Sequence, residues 1–243
     1  MRAVIGAHVQ PLLPARAVAA TPGAINATVC NFHMTITGSG GHAAYPQATQ
    51  DPVLALSEVI GSLQQAVSRR VSPTSAAALS VGMVQAGSAP GIIPTAAHAS
   101  GTLRALDPAD LRTLCLATTE IAERIAQAHR CGASVSFEQG EPVLVNDQRL
   151  ALDTRDLLTS FGTAIAPDLR SCGADDFAYY APLHPSLMIF VGVANLAGNS
   201  ASLHQAAFYP PEEAVSDVAD AMAGGFAAAC QLINAPSEMS PSS

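Results

Sequence analysis

Gly38-Ser39-Gly40-Gly41-His42-Ala43-Ala44-Tyr45-Pro46 is the stretch whose reading decides the fold. Before it, Asn31-Phe32-His33-Met34-Thr35-Ile36-Thr37 alternates apolar and polar residues, the period of a half-buried strand. After it, Val53, Leu56, Val59, Ile60, Leu63 and Val67 recur at helical spacing as far as Arg70. Asp51 is placed to cap that helix, with Pro52 in its first turn. Three glycines therefore lie between a strand and a helix, where they allow positive φ and close backbone approach to a ligand. A histidine on such a loop is presented rather than buried. The plainer reading is a turn that carries a surface histidine.

Working outward, Ala76 to Val84 and His98 to Leu106 read as strands, with a Gly/Pro loop from Gly87 to Pro94 between them. Asp107-Pro108 opens a second helix to about Ala128, with Leu111, Leu114, Ile121 and Ile125 on one face, and Val135 to Glu138 is a last short strand. The order β-α-β-β-α-β is the ferredoxin-like layout, two helices covering one face of an antiparallel sheet. On its N-terminal side lies an apolar strand, Ala3 to Val9, followed by an irregular connection through Pro11, Pro14 and Pro22. On its C-terminal side come a helix from Asp147 to Phe161, a loop from Ser171 to Tyr180, a continuous apolar run from Ser186 to Val193, and a helix from about Glu212 to Ile233. The expected fold is α/β, with a βαββαβ unit (26–138) inserted into another domain. That domain is divided into a stub (1–25) and a remainder (139–234), and a Pro/Ser-rich tail (235–243) is expected to be disordered. The stub cannot make a domain by itself. Sequence missing upstream is the expectation, with apolar strands that aggregate or require a partner chain.

Composition narrows the partners. Of 243 residues, 49% are hydrophobic and 12% charged, enough for a sizeable core. A net charge of −8 argues against nucleic acid or an anionic membrane as the main partner. Cys30, Cys115, Cys131, Cys172 and Cys230 are scattered without a CxxC pair, which suits thiols in a reducing compartment. No apolar run approaches the ~20 residues of a membrane span, and the first residues are not expected to act as a signal peptide. A cytoplasmic location is expected.

Two histidines end apolar strands. His8 stands at a strand-to-loop transition, and His204 follows the Ser186–Val193 run. Strand ends of an α/β sheet point into the ligand crevice, and two neutral imidazoles there can share a metal; two unrelated polar strand ends are the plainer alternative. Asp175-Asp176 reads equally as support for a metal-bound histidine or as a turn and helix cap. Arg104, near a strand end, reads as a carboxylate clamp or as a solvated edge charge. His33, His98, His129 and His184 carry no contextual signal. No Gly-x-Ser-x-Gly elbow, P-loop or dinucleotide fingerprint occurs.

Five stretches in order are similar to the M20 family of metallopeptidases and amidohydrolases, in its hippurate hydrolase and auxin-conjugate hydrolase branch. They are Gly6-Ala7-His8-Val9-Gln10-Pro11, the glycine loop with His42, Gly101-Thr102-Leu103-Arg104-Ala105-Leu106-Asp107, Ser171 to Tyr180, and Leu203-His204-Gln205-Ala206-Ala207-Phe208. The resemblance implies a zinc-peptidase-like catalytic domain with an inserted lid and dimerisation domain. It matches His8 and His204 to two histidine ligands of a site for two divalent metal ions (Zn, Mn or Co). His42 matches a lid histidine that reaches the partner protomer's active site and stabilises a developing oxyanion, and Arg104 an arginine that holds a substrate carboxylate. The implied reaction is attack of metal-activated water on the amide of a small N-acyl or N-aroyl amino acid, in a homodimer formed through the lid.

The sequence departs from that pattern. The family's remaining ligands and its paired glutamates precede the position of His8, and no other Asp, Glu, His or Cys does so here. The lid loop Pro90-Gly91-Ile92-Ile93-Pro94 carries no Asn, the acidic motif has Asp175 for the usual Glu, and the Pro and second Phe-Asp after His204 are altered. The expectation is a truncated gene, a misplaced start or one half of a split enzyme whose separate N-terminal half is another chain, weak or inactive alone. The rival readings are a non-catalytic dimerisation relic of such an enzyme and an ordinary ferredoxin-like binding protein.

Overall fold

The computed structural model describes residues 2–194, 202–203 and 205–234. Along the chain, β1 (Val4–Pro14), β2 (Ala17–Ala19) and β3 (Gly23–Asn26) lead to β4 (Thr28–Thr37) and the two-residue β5 (Gly41–His42). Then come α1 (Pro52–Arg70), β6 (Ala77–Ala86), β7 (Ile92–Ile93), β8 (Ala96–Ala105), α2 (Pro108–Ala128) and β9 (Gly132–Gln139). The chain continues with β10 (Leu144–Asn146), α3 (Gln148–Ser160), β11 (Ala164–Ile165), β12 (Ser186–Ala194) and α4 (Ala214–Asn234). Two compact units result: one of Met1–Ile25, Leu144–Arg170 and Asp175–Ser243, the other, the lid, of Asn26–Val143 and Ser171–Ala174. The expected tail, 235–243, lies outside the described residues. Among the described residues no helix is long and apolar enough to cross a membrane.

The lid is built by its periodicities. In β4, Cys30, Phe32, Met34 and Ile36 are buried on one face while His33 and Thr37 are exposed. The antiparallel sheet has the order β6-β8-β4-β9, and Leu56, Val59 and Leu63 of α1 join Leu111 and Leu114 of α2 over its apolar face. Both helices start as their caps dictate: Asp51 accepts from the N–H groups of Val53 and Leu54, and Asp107 from that of Ala109. The open face is polar, with His33 Nδ1 3.0 Å from Ser100 Oγ and His98 Nδ1 3.0 Å from Thr35 Oγ1. Ser171–Ala174, which the sequence reading puts in the catalytic remainder, packs with the lid. The Ala27 N–H donates to the Gly173 carbonyl, and Asn26 bridges to Ser171.

Two features of the lid core carry predictions. Thr118 is fully buried in α2, and among the described residues its hydroxyl has no hydrogen-bond partner. Thr118→Val removes a desolvated hydroxyl while keeping the branched shape, and is expected to stabilise the lid by about 1 kcal/mol. The check is a higher urea midpoint at unchanged slope. Burial and the neighbouring Cys30 thiol push the Cys115 thiol from 9.0 up to about 12. The folded state therefore keeps a proton that the unfolded state gives up. This preference costs nothing below about pH 9 and destabilises as pH rises toward 12. The alkaline loss of melting temperature is expected to be smaller in Cys115→Ala than in the wild type.

The other unit centres on β12, which is buried from Ser186 to Val193 and pairs in parallel with β1 from Val4↔Ser186 to Gln10↔Gly192. The strand expected at Ala3 to Val9 runs on through Pro11 to Pro14, after a register shift, because at the margin of a sheet a proline gives up no ladder bond. β2 returns antiparallel to β12, and β11 adds to β2, in the order β1-β12-β2-β11. One side of the sheet packs on α3 and α4 through Leu187, Ile189 and Val191. The other packs Met188 and Phe190 against Phe177 and Leu144. Buried Asn146 joins three segments: its amide donates to the carbonyls of Thr21 and Met188, and its Oδ1 accepts from the Met188 N–H at 2.8 Å.

Candidate functional site

The lid holds His42 through its glycine loop. The Gly38 N–H donates to the Thr95 carbonyl at 2.8 Å, and a Cβ at Gly38 would lie 2.1 Å from the Gln50 carbonyl oxygen. Gly40 takes φ +61°, a conformation suited to glycine. β5 then pairs with β7, Gly41 opposite Ile93 and His42 opposite Ile92, and the Ala43 N–H donates to the Gly91 carbonyl. The imidazole is exposed and stands edge-on to Tyr45, with ring centroids 5.6 Å apart. The Ala44 N–H donates to His42 Nδ1 at 3.0 Å. Neutral His42 therefore carries its proton on Nε2, and the atom it offers outward is a donor. The loop beside it, Pro90 to Pro94, contributes no side-chain amide.

Arg104 lies in the four-stranded sheet, at the end away from the β4 terminus that leads into the His42 loop. It sits opposite Val29 on β8, whereas the His42 loop leaves β4 at Thr37, opposite Ala96. Eight residues of strand separate the two, about 27 Å at ~3.4 Å per residue. β8 is an interior strand, so the reading of Arg104 as an edge charge is corrected. Its guanidinium Nη1 donates to the Cys172 carbonyl at 3.0 Å. That tether escaped the sequence reading because a backbone carbonyl brought from 68 residues away leaves no mark in local composition.

In the other unit, His8 lies on β1 opposite Phe190, its ring edge-on to the phenyl ring. Ile5 and Ala7 pack on the α3/α4 side, so His8 projects to the other, with Phe177. A Cβ at Gly6 would come within 2.9 Å of the Phe177 ring, so glycine two residues before His8 makes room for the acidic turn. His8 Nδ1 lies 2.6 Å from the Val9 carbonyl, which can only accept. Nδ1 therefore carries the proton, and Nε2 keeps a free lone pair, the form that ligates a metal. The backbone thus sets His8 and His42 in opposite tautomers.

Asp175 is the cap of a short 3-10 turn, Asp176–Tyr180, accepting from the Phe177 N–H at 2.9 Å. Of its two readings, the structure bears out the cap. His204 lies outside the described residues. Among the described residues no three His, Cys, Asp or Glu side chains converge as a metal site. His8 suits one ligand position, but the described residues do not fit the pair of divalent ions that the resemblance implies.

Comparison with known proteins agrees with this layout. A family described as "Peptidase dimerisation domain" matches residues 26–130. The chain is 29% identical over 220 residues to N-acetyldiaminopimelate deacetylase of Bacillus pumilus, covering 90% of this chain and 57% of that protein. It is 33% identical over 221 residues to the Enterococcus faecalis protein of the same name, covering 89% and 57%. Among solved structures, a dinuclear metal-binding M20 peptidase of Bacillus subtilis superposes with a TM-score of 0.78 at 24% identity, covering 97% of this chain and 58% of that one. An amidase of the hydantoinase/carbamoylase family from Burkholderia multivorans gives a TM-score of 0.71 at 20% identity, covering 95% and 55%. The chain spans little more than half the length of the relatives it matches.

Proposed function

Since the chain belongs to the M20 family of peptidases and amidohydrolases, we propose that it takes part in hydrolysing the amide bond of small N-acylated amino acids. The names of its relatives favour N-acetylated amino acids such as N-acetyldiaminopimelate. The observation that carries the reading is His42, braced on an exposed loop with its Nε2–H turned outward. A donor fixed in that state suits the negative charge that grows on an amide oxygen under attack. Arg104 suits the substrate carboxylate with the N–H groups not engaged by the Cys172 carbonyl. A small N-acyl amino acid does not span the ~27 Å of strand between Arg104 and the start of the His42 loop. One lid therefore serves two sites, which supports a homodimer in which His42 acts on the partner's substrate. His8 and His204 are proposed as two imidazole ligands of the family's dinuclear centre.

The test is amide hydrolysis of N-acetyldiaminopimelate and of N-benzoylglycine with added Zn²⁺, Mn²⁺ or Co²⁺. It is run on the chain alone and on the chain mixed with the unmatched share of the Bacillus pumilus relative. Turnover in the mixture that depends on His42 is expected, and its absence in both arms overturns the reading. A non-catalytic dimerisation role is favoured by the confinement of the family match to residues 26–130. Its mark is a stable dimer with no turnover in either arm.

A further inference from the structure

His42 shares its loop with two apolar side chains. It stands directly opposite Ile92 in the β5/β7 ribbon, so the two side chains lie on one face with Cβ atoms about 5 Å apart. On its other flank the Tyr45 ring meets the imidazole edge-on. Tyr45 is 60% exposed and Ile92 58%. Pro90-Gly91-Ile92-Ile93-Pro94, which carries β7, adds no polar side chain. The outward Nε2–H of His42 is therefore set between apolar surfaces, and much of their area is open to a ligand that would remove it from water.

The chemistry of an amide decides which part of a substrate lies there. The oxygen and the acyl chain are attached to the same carbon. When His42 donates to that oxygen at about 2.9 Å, the first carbons of the acyl chain come within reach of side chains that flank the imidazole. The amino-acid half leaves that carbon through the nitrogen, and its carboxylate is matched to a guanidinium rather than to a ring and a branched alkyl group. Resting on the amidohydrolase reading, we propose that Tyr45 and Ile92 are specificity-determining residues that receive the acyl group and select apolar chains longer than acetyl. Each added methylene covers more of the exposed pair, so the preference grows with chain length until the pair is covered. This sets the expected acyl group apart from the acetyl in the names of the relatives.

The experiment compares N-acetyl-, N-butanoyl- and N-hexanoylglycine in two ways. The first is kcat/KM in whichever assembly turns over, where a rise of about tenfold from acetyl to hexanoyl is expected. Tyr45→Ala and Ile92→Ala should each reduce that ratio, the former about fivefold, with the loss mainly in KM. Tyr45→Phe keeps the ring and should keep the ratio. Both side chains are exposed, so these variants are expected to fold. The second is titration of the full chain with the same compounds, followed by the amide shifts of Ala43 and Ala44. Hexanoyl is expected to bind about fivefold more tightly than acetyl, and Tyr45→Ala to abolish the difference. Where an assembly turns over, the kinetics decide: a flat chain-length profile, or one that Tyr45→Ala leaves unchanged, overturns the proposal while the amidohydrolase reading stands. Where none does, the titration decides. Binding at the loop that grows with chain length then upholds the apolar subsite and counts against the amidohydrolase reading, and equal or absent binding overturns both.

Discussion

Replacing Asn146 by alanine is expected to destabilise the unit built on β1 and β12 by about 3–5 kcal/mol, the largest effect on stability from one polar side chain. Asn146 is 1% exposed, and its amide meets the Thr21 carbonyl, the Met188 carbonyl and the Met188 N–H. A side-chain amide here does for β12 what a neighbouring strand would do, pairing both backbone groups of one residue. Alanine leaves three buried polar groups unpaired, each costing about 1–3 kcal/mol with partial relief as the site relaxes. Asn146→Asp should also be severe, because it loses both donors and buries a charge. The measurement is urea denaturation followed at the two units separately. The transition of the β1/β12 unit should fall while that of the lid holds, since the lid has its own core. Equal loss in both units, or a change under 1 kcal/mol, would count against this account.

His42→Ala is expected to lower kcat/KM for amide hydrolysis by about 10²–10³-fold in whichever assembly turns over, with most of the loss in kcat. That is the size of effect seen when one donor to a developing oxyanion is removed. Folding should be spared, because the imidazole is exposed and its one hydrogen bond among the described residues is to the Ala44 N–H beside it. His42→Gln restores an N–H donor of similar reach and should recover part of the activity, which a merely structural role would not predict. Mixed dimers sharpen the point. If His42 works across the dimer, one chain lacking His42 and one lacking Arg104 should assemble one site with both residues and one with neither. Activity near a quarter of the wild type would then return on mixing equal amounts of two weak variants, since about half of the randomly exchanged dimers are mixed and each has one intact site. No recovery would place both residues in the same chain's site and contradict the separation read from the strand register.

What was legible in the sequence was local chemistry. The alternation of Asn31 to Thr37, the Asp-Pro starts of both lid helices and the apolar run from Ser186 to Val193 each contain their own signal, and the structure builds those elements with β4 starting earlier, at Thr28, and the others within a residue or two of the expected limits. The cap at Asp175 had an alternative that only the placement of the Phe177 N–H resolved. The run of β1 through Pro11 to Pro14 was not legible, because proline reads as a break unless the strand is known to lie at a margin. The short pairings at Ala17–Ala19, Gly41–His42 and Ala164–Ile165 were equally silent, since two or three residues are too few for a period.

The same division runs through the site. Sequence alone singled out His42, His8 and Arg104, because glycine around a histidine, a histidine at an apolar strand end and an arginine at another are features of neighbouring residues. It also put His42 on a presented loop after the first strand of an inserted βαββαβ unit. Tertiary structure decided what each group can do. Strand register set Arg104 and the start of the His42 loop at opposite ends of one sheet, the Cys172 carbonyl engaged part of the guanidinium, and Val9 and Ala44 gave the two imidazoles opposite tautomers. The physical reason is range and orientation: residue type and period are encoded locally, whereas the partner of a ring nitrogen or a guanidinium is a backbone atom whose position depends on the folded path.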